Sequence, residues 1–434
     1  MSRQAAAESV SQTAPDRPAA PLPNIAYLCT RYPAPSHTFV LREVNALRRL
    51  GGRISTFSVW RAGPEHVLAQ ADRVAAESTY AILPPRWREL LATHLAAAIR
   101  RPSAYVATLI LALRLAPAGL RGRLWQCFYF VEAIVLWKEC RARGIRHIHV
   151  HLANAAADTA LLAAHFGSAA DPEHPWSWSF TMHGPTELYD VSRFQLTEKV
   201  MRARFVVCIS DYTRSQLMTL SPPERWDRLR VLHVGIPIEQ FTRSDNGGPP
   251  SEEPSILFIG RLVPEKGALI LVEATALLAE RGHRVHVTIA GAGPACGEIE
   301  RHAERFGVAS QIAFPGAVGQ DDIHALYAGA SIFCLPSFAE GVPGVLMEAM
   351  AMRLPVVTTR ITGIAELVED GHSGLLVSPG RPDELAEALE RLLTDPSLRR
   401  QFGEHARDKV VREFNTDISA RLLRDLFAEE LSRS

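Results

Sequence analysis

An alternation of short apolar segments with amphipathic segments, present in both halves of the chain, limits the fold more than any other feature. Residues 24–29 (NIAYLC) are an apolar run typical of a buried strand. Residues 38–50 have helical spacing, which ends at Gly51 and Gly52. Strands that alternate with helices are typical of a parallel sheet covered on both faces. The sequence therefore predicts an α/β fold.

Further strands are predicted at similar intervals. In the first half they occupy residues 53–60, 147–152, 177–182, 204–209 and 230–234. In the second half they occupy residues 255–260, 284–290, 312–314, 332–335, 355–358 and 374–377, and a helix is predicted at residues 268–281. Each half thus has the order of a separate sheet, and ligands of such sheets bind beyond the carboxyl ends of the strands.

The two halves are separated by residues 242–254 (TRSDNGGPPSEEP), a polar segment without apolar periodicity that predicts a linker. A chain of 434 residues is long enough for two domains. We therefore predict a disordered tail (1–23), an N-terminal Rossmann-like domain (24–241) and a C-terminal Rossmann-like domain (255–415). A final helix (416–434) is expected to pack back toward the N-terminal domain.

Composition argues against several classes of protein. The chain has 47 Lys and Arg against 47 Asp and Glu, whereas a general nucleic-acid binder usually has a basic excess. Its six cysteines have neither metal-ligand nor redox spacing, so buried reduced thiols are expected, as in a cytoplasmic protein. Residues 1–23 lack the apolar core of a secretory signal, and no apolar run reaches the roughly 18–20 residues needed to span a bilayer.

The most informative motif follows the strand at residues 332–335. A loop carrying Glu340 and Gly341 leads to Pro343, a residue favoured where a helix begins. The free amides at that helix start form a site for phosphate oxygens. Most isolated glutamates are solvated, but Glu348 lies among apolar residues, where a surface carboxylate is less expected.

The pairing of Glu340 with Glu348 in an E-G-x-P-x-V-x-x-E-A-M-A frame resembles glycosyltransferase family 4, whose members have the GT-B fold. Three further segments resemble the family in the expected order, namely residues 258–267, 288–294 and 363–377. The resemblance is dense in the C-terminal half and loose in the N-terminal half. It implies two Rossmann-like domains that face a central cleft.

The resemblance also implies roles for donor-binding residues. Arg261 and Lys266 would neutralise the donor diphosphate without a metal, because fixed cations oppose the charge that the leaving group gains. The alternative for Arg261 is an ion pair with a surface carboxylate. Glu348 would accept hydrogen bonds from ribose hydroxyls, and Glu340 would hold hydroxyls of the donor sugar. The remaining donor-binding candidates are Gly260, Gly341, Val342 and Gly344.

Histidines supply the candidates on the N-terminal side. The resemblance implies that His183, at the end of the strand at 177–182, contacts the donor sugar near the reacting carbon. His147, His149 and His151 share one face of a strand, so metal binding is an alternative. No Cys or carboxylate is spaced to complete a metal site. The family often has a His-x-His at this strand end, so the resemblance implies that His151 lines the cleft. The resemblance implies neither a metal nor a cofactor.

Residues 32–44 (YPAPSHTFVLREV) resemble a subgroup of the family involved in bacterial exopolysaccharide and colanic acid biosynthesis. Ser36 and His37 are therefore acceptor-side candidates. His37 replaces the Glu of the usual S-E-T-F motif, and the glycine pair of many relatives is missing. Ser36 is equally suited to cap the following helix.

Residues 86–146 interrupt the strand–helix order. They contain two apolar runs, 105–113 and 124–137, among many arginines and few acids. Helices of this composition lie in the membrane interface or form an ordinary core, and both interpretations remain open.

The resemblance thus implies a retaining, metal-independent hexosyltransferase, which we expect to be cytoplasmic or peripheral on the inner membrane. Its expected partners are a nucleotide-sugar donor, a glycan or lipid-linked glycan acceptor and the inner-membrane surface, but no nucleic acid. Two alternatives are a nucleotide-sugar epimerase of the same fold and a non-catalytic binding protein.

Overall fold

Thirteen strands and seventeen α-helices are found in the computed structural model, which describes residues 22–34, 38–67, 69–242 and 254–433. The strands are β1 (Ile25–Arg31), β2 (Ile54–Trp60), β3 (Tyr80–Leu83), β4 (His147–His151), β5 (Ser177–Met182), β6 (Val206–Cys208), β7 (Leu229–Val231), β8 (Ser255–Ile259), β9 (His286–Ala290), β10 (Ile312–Gly316), β11 (Ile332–Leu335), β12 (Val356–Thr359) and β13 (Gly374–Val377).

The helices connect these strands. They are α1 (Thr38–Arg49), α2 (Gln70–Ser78), α3 (Trp87–Arg100), α4 (Pro102–Arg114), α5 (Leu120–Ala142), α6 (Ala155–Ala170), α7 (Thr186–Tyr189), α8 (Leu196–Arg202), α9 (Asp211–Thr219), α10 (Ala268–Glu280), α11 (Cys296–Arg305), α12 (Gln320–Gly329), α13 (Gly344–Ala351), α14 (Ile364–Leu367), α15 (Pro382–Thr394), α16 (Pro396–Glu413) and α17 (Thr416–Ser432).

The strands form two sheets, and every pairing between neighbouring strands is parallel. The first has the order β3-β2-β1-β4-β5-β6-β7 and the second the order β10-β9-β8-β11-β12-β13. In each sheet, successive strands are added first toward one edge and then toward the other. This change of direction lies between β1 and β4 in the first sheet and between β8 and β11 in the second. The predicted α/β fold with two Rossmann-like domains is therefore confirmed. The short edge strand β3 was not predicted, because four residues before two prolines give little periodicity.

A separate hydrophobic core supports each sheet. Phe258, Phe333 and Phe414 belong to the core of the second sheet, and Phe57 and Phe166 to that of the first. A third cluster lies between the first sheet and α1 and includes Phe427 and Leu423 of α17. The last helix therefore returns to the N-terminal domain and ties the two halves together. Residues 243–253, most of the predicted linker, lie outside the described residues, as does nearly all of the predicted tail.

The two domains are also joined through the amino end of α9. The backbone N–H groups of Asp211 and Tyr212 donate to the carboxylate of Glu366, each at 2.8 Å. A carboxylate is favoured at this position, because the first amides of a helix lack helical partners and carry partial positive charge. Glu366 belongs to the C-terminal domain, so this contact fixes one edge of the cleft.

Helices α3, α4 and α5 expose apolar side chains on their outer faces. On α3, Trp87, Leu91, Leu95 and Ile99 recur every four residues and are 57–70% exposed. The others are Val106, Ile110 and Leu113 of α4 and Leu120, Leu124, Trp125 and Phe128 of α5. Across the described residues, no single helix has the length and hydrophobicity to cross a membrane. The pair α3 and α4 meets that criterion together, but with a bend of 113° between them.

We predict that Phe427→Ala destabilises the protein by about 3–5 kcal/mol, the usual cost of truncating a buried Phe. Phe427 is fully buried, and its ring lies 5.3 Å from His149 and 5.7 Å from Phe205. Urea unfolding measures the change, and Phe338→Ala, at a ring that is 46% exposed, is the matched control. A loss below about 1 kcal/mol would show that α17 does not hold the N-terminal domain.

Candidate active site

A cleft of about 590 Å³ lies where the carboxyl ends of the two sheets face each other. Gly260 and Arg261 follow β8, and His183 follows β5. The loop that carries Glu340 follows β11, so it lies at the point where strand order reverses in the second sheet. The lining includes all nine candidates for catalysis and donor binding, namely His183, Gly260, Arg261, Lys266, Glu340, Gly341, Val342, Gly344 and Glu348.

Glu348 is held between a phenol and a guanidinium. Its carboxylate accepts from the Tyr327 hydroxyl at 3.1 Å and from Arg42 at 3.1 Å. Burial raises the pKa of Glu348, and the positive charge of Arg42 opposes that rise. Since Arg42 belongs to α1, this ion pair also bridges the two domains across the cleft.

Glu340 is held in a similar way within the C-terminal domain. Its Oε1 accepts from Lys266 Nζ at 2.6 Å and from the Ser337 hydroxyl at 2.8 Å. The side chain is only 9% exposed. The residues assigned to the donor diphosphate and to the donor sugar therefore contact each other here. A ligand that binds between them meets one fixed negative and one fixed positive group.

Arg261 is an exposed cation that points from the turn after β8. Within the described part of the chain, its side chain forms no ion pair, so the alternative of a surface carboxylate partner finds no support there. Its neighbour Gly260 approaches the aliphatic part of Lys266, since a Cβ on Gly260 would lie 3.8 Å from Lys266 Cδ. The two candidate phosphate-binding cations thus flank one turn.

The loop before α13 touches the N-terminal domain through its backbone. A Cβ on Gly341 would lie 1.9 Å from the carbonyl oxygen of His183, a distance that no side chain allows. Gly363 also packs closely against this loop, since its Cβ would lie 2.8 Å from the carbonyl oxygen of Gly341. Glycine is therefore required at both positions by close packing.

His183 contacts His151, which in turn contacts the carboxylate of Glu43. Its Nε2 lies 2.8 Å from His151 Nδ1, and His151 Nε2 lies 3.1 Å from the carboxylate of Glu43. His151 is 3% exposed and is absent from the cleft lining. The structure thus differs from the expectation that His151 lines the cleft: it lies one layer deeper and contacts the cleft through His183.

The remaining strand histidines form a ladder of hydrogen bonds with hydroxyls of β5. His147 bonds Ser177 and Ser179 at 2.8 Å each. His149 bonds Ser179 at 2.8 Å and Thr181 at 3.0 Å. Burial lowers the pKa of His147 to about 3 and that of His149 well below its usual value, so both are neutral.

A carboxylate does approach these histidines, contrary to the inference from spacing alone. Ligand atoms of Glu43, His149 and His151 lie within 4.8 Å of one another. Both nitrogens of His149 already bond hydroxyls, however, so a metal ion would have to break one of those bonds. Ser36 and His37, the acceptor-side candidates, lie outside the described residues.

Sequence reasoning missed Arg42, Glu43 and Tyr327. Arg42 and Glu43 are adjacent on α1, and each contacts a candidate site residue that is distant in sequence. A signal was present, because the motif at residues 32–44 contains two adjacent charged residues near its end. That signal could not distinguish a buried pair from a solvated helix face.

Comparison with known proteins identifies relatives of the C-terminal half. Residues 240–409 match the family model of glycosyl transferases group 1. The chain is 29% identical over 261 residues to alpha-D-kanosaminyltransferase of Streptomyces kanamyceticus, covering 56% of this chain and 67% of that protein. It is 32% identical over 235 residues to the putative colanic acid biosynthesis glycosyltransferase WcaL of Salmonella typhimurium, covering 52% and 56%. The chain thus spans between about half and two thirds of these curated relatives.

Solved structures resemble the whole chain. Sucrose-phosphate synthase from Thermosynechococcus elongatus has a TM-score of 0.71 at 18% identity and covers 95% of this chain and 100% of that chain. Anabaena Alr3699/HepE in complex with UDP has a TM-score of 0.69 at 17% identity, with the same coverage. At these identities the likeness concerns the fold. With the architecture, it follows that the chain has the GT-B fold, and its residues 240–409 are similar to the group 1 glycosyltransferases.

Proposed function

We propose that this protein transfers a sugar from a nucleotide-sugar donor to a glycan or lipid-linked glycan, with retention of configuration and without a metal. One observation carries the proposal: a single cleft is lined by three cations, two nearly buried carboxylates, a helix start and a histidine. These are the groups needed to bind a diphosphate, a ribose and a sugar side by side. The domain arrangement that forms the cleft is the one shared with HepE, which was solved with UDP.

The donor diphosphate is assigned to Arg261, Lys266 and the amino end of α13. Departure of a nucleoside diphosphate concentrates negative charge on its terminal phosphate. Fixed cations and free amides stabilise that charge in the transition state. Gly344 leaves open space at the helix start, since a Cβ there would meet nothing within 4 Å.

The ribose is assigned to Glu348 and the transferred sugar to Glu340 and His183. Each carboxylate pairs with a cation, and carboxylate oxygens accept hydrogen bonds from hydroxyl groups. Both carboxylates that line the cleft are occupied in this way, which leaves neither suited to attack carbon. We therefore favour a front-face reaction, in which the leaving phosphate assists removal of the proton from the acceptor.

The acceptor is assigned to the N-terminal side of the cleft. The relation to WcaL supports a role in exopolysaccharide biosynthesis, and such glycans commonly grow on a lipid carrier at the inner membrane. The exposed apolar residues of α3, α4 and α5 support a contact with that membrane from the cytoplasmic side. Arginines flank them, and Arg114, Arg121 and Arg123 are all exposed. Anionic lipid would attract these cations while the apolar side chains enter the interface.

Transfer should release nucleoside diphosphate only when an acceptor is added, and the release should persist in EDTA because the proposed site uses no metal. Purified protein is incubated with a panel of sugar nucleotides, with and without lipid-linked glycans. A changed sugar without release would indicate an epimerase, and binding without either reaction would indicate a non-catalytic protein. Loss of activity in EDTA that a divalent ion restores would contradict metal independence.

Glu348→Gln should weaken binding of free nucleoside diphosphate by about tenfold or more, the usual effect of losing a charged hydrogen bond. Glu340→Gln should mainly lower kcat, because its partner is the transferred sugar. Calorimetric titration and steady-state kinetics separate the two effects. Glu387→Gln, at an exposed position on α15, is the control. Equal loss of nucleotide affinity in both cleft variants would refute the division of roles.

The protein should bind vesicles that contain anionic lipid, and raised salt should weaken the binding. Changing Arg114, Arg121 and Arg123 together to Gln should weaken it on the order of 100-fold, at about 1 kcal/mol for each cation. Changing Arg301, Arg305 and Arg391, which are exposed on the other domain, is the matched control. Both variants should keep activity on a soluble acceptor. If the unaltered protein ignores anionic vesicles at low salt, the membrane proposal fails.

A further inference from the structure

Another cavity, of about 690 Å³, lies on the N-terminal domain between α3 and the carboxyl-terminal end of α5. All of its lining residues belong to these two helices or to Arg101, which joins α3 to α4. His94 of α3 lies 3.2 Å from the carbonyl oxygen of Val131 on α5, so the two helices are packed together. We call this cavity the α3–α5 groove. Its volume is typical of a site for a small ligand.

One end of the groove is cationic. Arg100, Arg101 and Arg141 line it, and all three are exposed. Across the described residues, none of the three forms an ion pair. Lys138 adds a fourth cation, which lies 3.9 Å from the carboxylate of Glu139. The carboxyl end of a helix favours a cation, and here the ends of two helices bring their cations to the same groove.

The remainder of the groove is mostly apolar. Ala92, Ala96 and the nearly buried Trp137 contribute to its walls. Glu89 is the one acidic residue in the lining, and it already has an ion-pair partner. It lies in the first turn of α3, eleven residues from Arg100, which is about 16 Å along the helix axis. The groove therefore suits a ligand with an anionic end and an apolar body.

We propose that the α3–α5 groove binds one anionic phospholipid, with its phosphate against the arginines of the cationic end and an acyl chain along the alanine wall. Guanidinium groups offer several N–H donors in a fixed plane, which matches the oxygens of a phosphate. Basic pockets between helices recognise lipid headgroups in this way. A soluble anion would gain nothing from the apolar walls, whereas an acyl chain is stabilised by leaving water.

The outer face of α3 indicates where the lipid comes from. Leu91, Leu95 and Ile99 are 57–70% exposed, and Leu95 directly precedes Ala96 of the groove wall. The apolar row assigned to the membrane contact thus borders the groove along the same helix. The inference rests on that part of the proposed function for the source of the lipid, and it does not depend on sugar transfer.

The groove is separate from the cleft. Its cationic end shares Arg101 and Arg141 with a smaller cavity of about 110 Å³, which Ile145, Arg146 and Trp176 also line. Ile145 and Arg146 directly precede β4, and Trp176 directly precedes β5. This end of the groove therefore lies at the amino edge of the first sheet, whereas the cleft lies at the carboxyl edge. A lipid bound there would hold the protein on the membrane and would not be the acceptor.

A soluble lipid tests for a discrete site. Dihexanoyl phosphatidylglycerol, kept below its critical micelle concentration, is titrated against the full-length protein by calorimetry, and binding should saturate at one lipid per protein. Two compounds should bind on the order of tenfold more weakly, namely the free headgroup glycerophosphoglycerol and dihexanoyl phosphatidylcholine. The first lacks the apolar chains, and the second lacks the net negative charge.

Changing Arg100, Arg101 and Arg141 together to Gln should weaken binding of dihexanoyl phosphatidylglycerol on the order of 100-fold. The matched control is the triple arginine variant proposed above for vesicle binding. It removes the same charge from the same domain but outside the groove, so it should bind the soluble lipid as the unaltered protein does. Equal losses in the two variants would show a diffuse effect of charge and overturn the proposal.

A second variant fills the groove without changing its charge. Ala96→Trp places a large side chain in the wall, and it should abolish lipid binding while the protein stays folded, because Ala96 is exposed. Leu95→Trp is the matched control, since it adds the same side chain one residue away on the outer face of α3. Unchanged binding of dihexanoyl phosphatidylglycerol in a folded Ala96→Trp would overturn the proposal.

The remaining outcomes distinguish other occupants and the proposed function. Glycerophosphoglycerol that binds as tightly as the lipid would make the groove a site for soluble anions and overturn the proposal. Dimerisation that Ala96→Trp abolishes, with no lipid bound, would assign the groove to a second copy and overturn it too. One soluble lipid bound by a protein that ignores anionic vesicles would support the groove and refute the membrane contact. The same binding without any sugar transfer would support the groove and refute the proposed reaction.

Discussion

The site depends on a backbone contact between the two domains. Gly341 of the C-terminal domain lies against the carbonyl of His183 in the N-terminal domain, closer than any side chain would permit. Glu340 precedes this glycine, so the contact sets the spacing between the carboxylate and the histidine. Glu366 at the amino end of α9 and the return of α17 hold the same interface from two other sides. Sugar chemistry in the cleft therefore requires the domains to meet as they do here.

The two carboxylates in the cleft are paired before any ligand arrives. Glu348 contacts Arg42 and Tyr327, while Glu340 contacts Lys266 and Ser337. These partners keep the carboxylates oriented and offset the cost of burying them. A donor would enter by exchanging some of these contacts for its hydroxyls and phosphates. Because Arg42 comes from the N-terminal domain, the proposed binding of ribose to Glu348 would act on a contact between the two domains.

The sequence predicts the sheets well, and its candidates for donor binding line one cleft, because both depend on local patterns. The strands are short runs of apolar residues, and the segment around the start of α13 carries its carboxylates and glycines within a few residues of one another. Arg42 and Glu43 escape prediction, since their partners lie 306 and 108 residues away and charged helix residues are usually solvated. On α3, both faces are apolar, so only the structure shows that Trp87 and Ile99 point outward.

A crystal structure with an intact, non-hydrolysable nucleotide sugar tests the central claim most directly. The account predicts that the diphosphate contacts Arg261 and Lys266, that the ribose contacts Glu348, and that the sugar lies between Glu340 and His183. A nucleotide bound elsewhere, or a diphosphate against His183 with the sugar turned away from Glu340, would contradict the account.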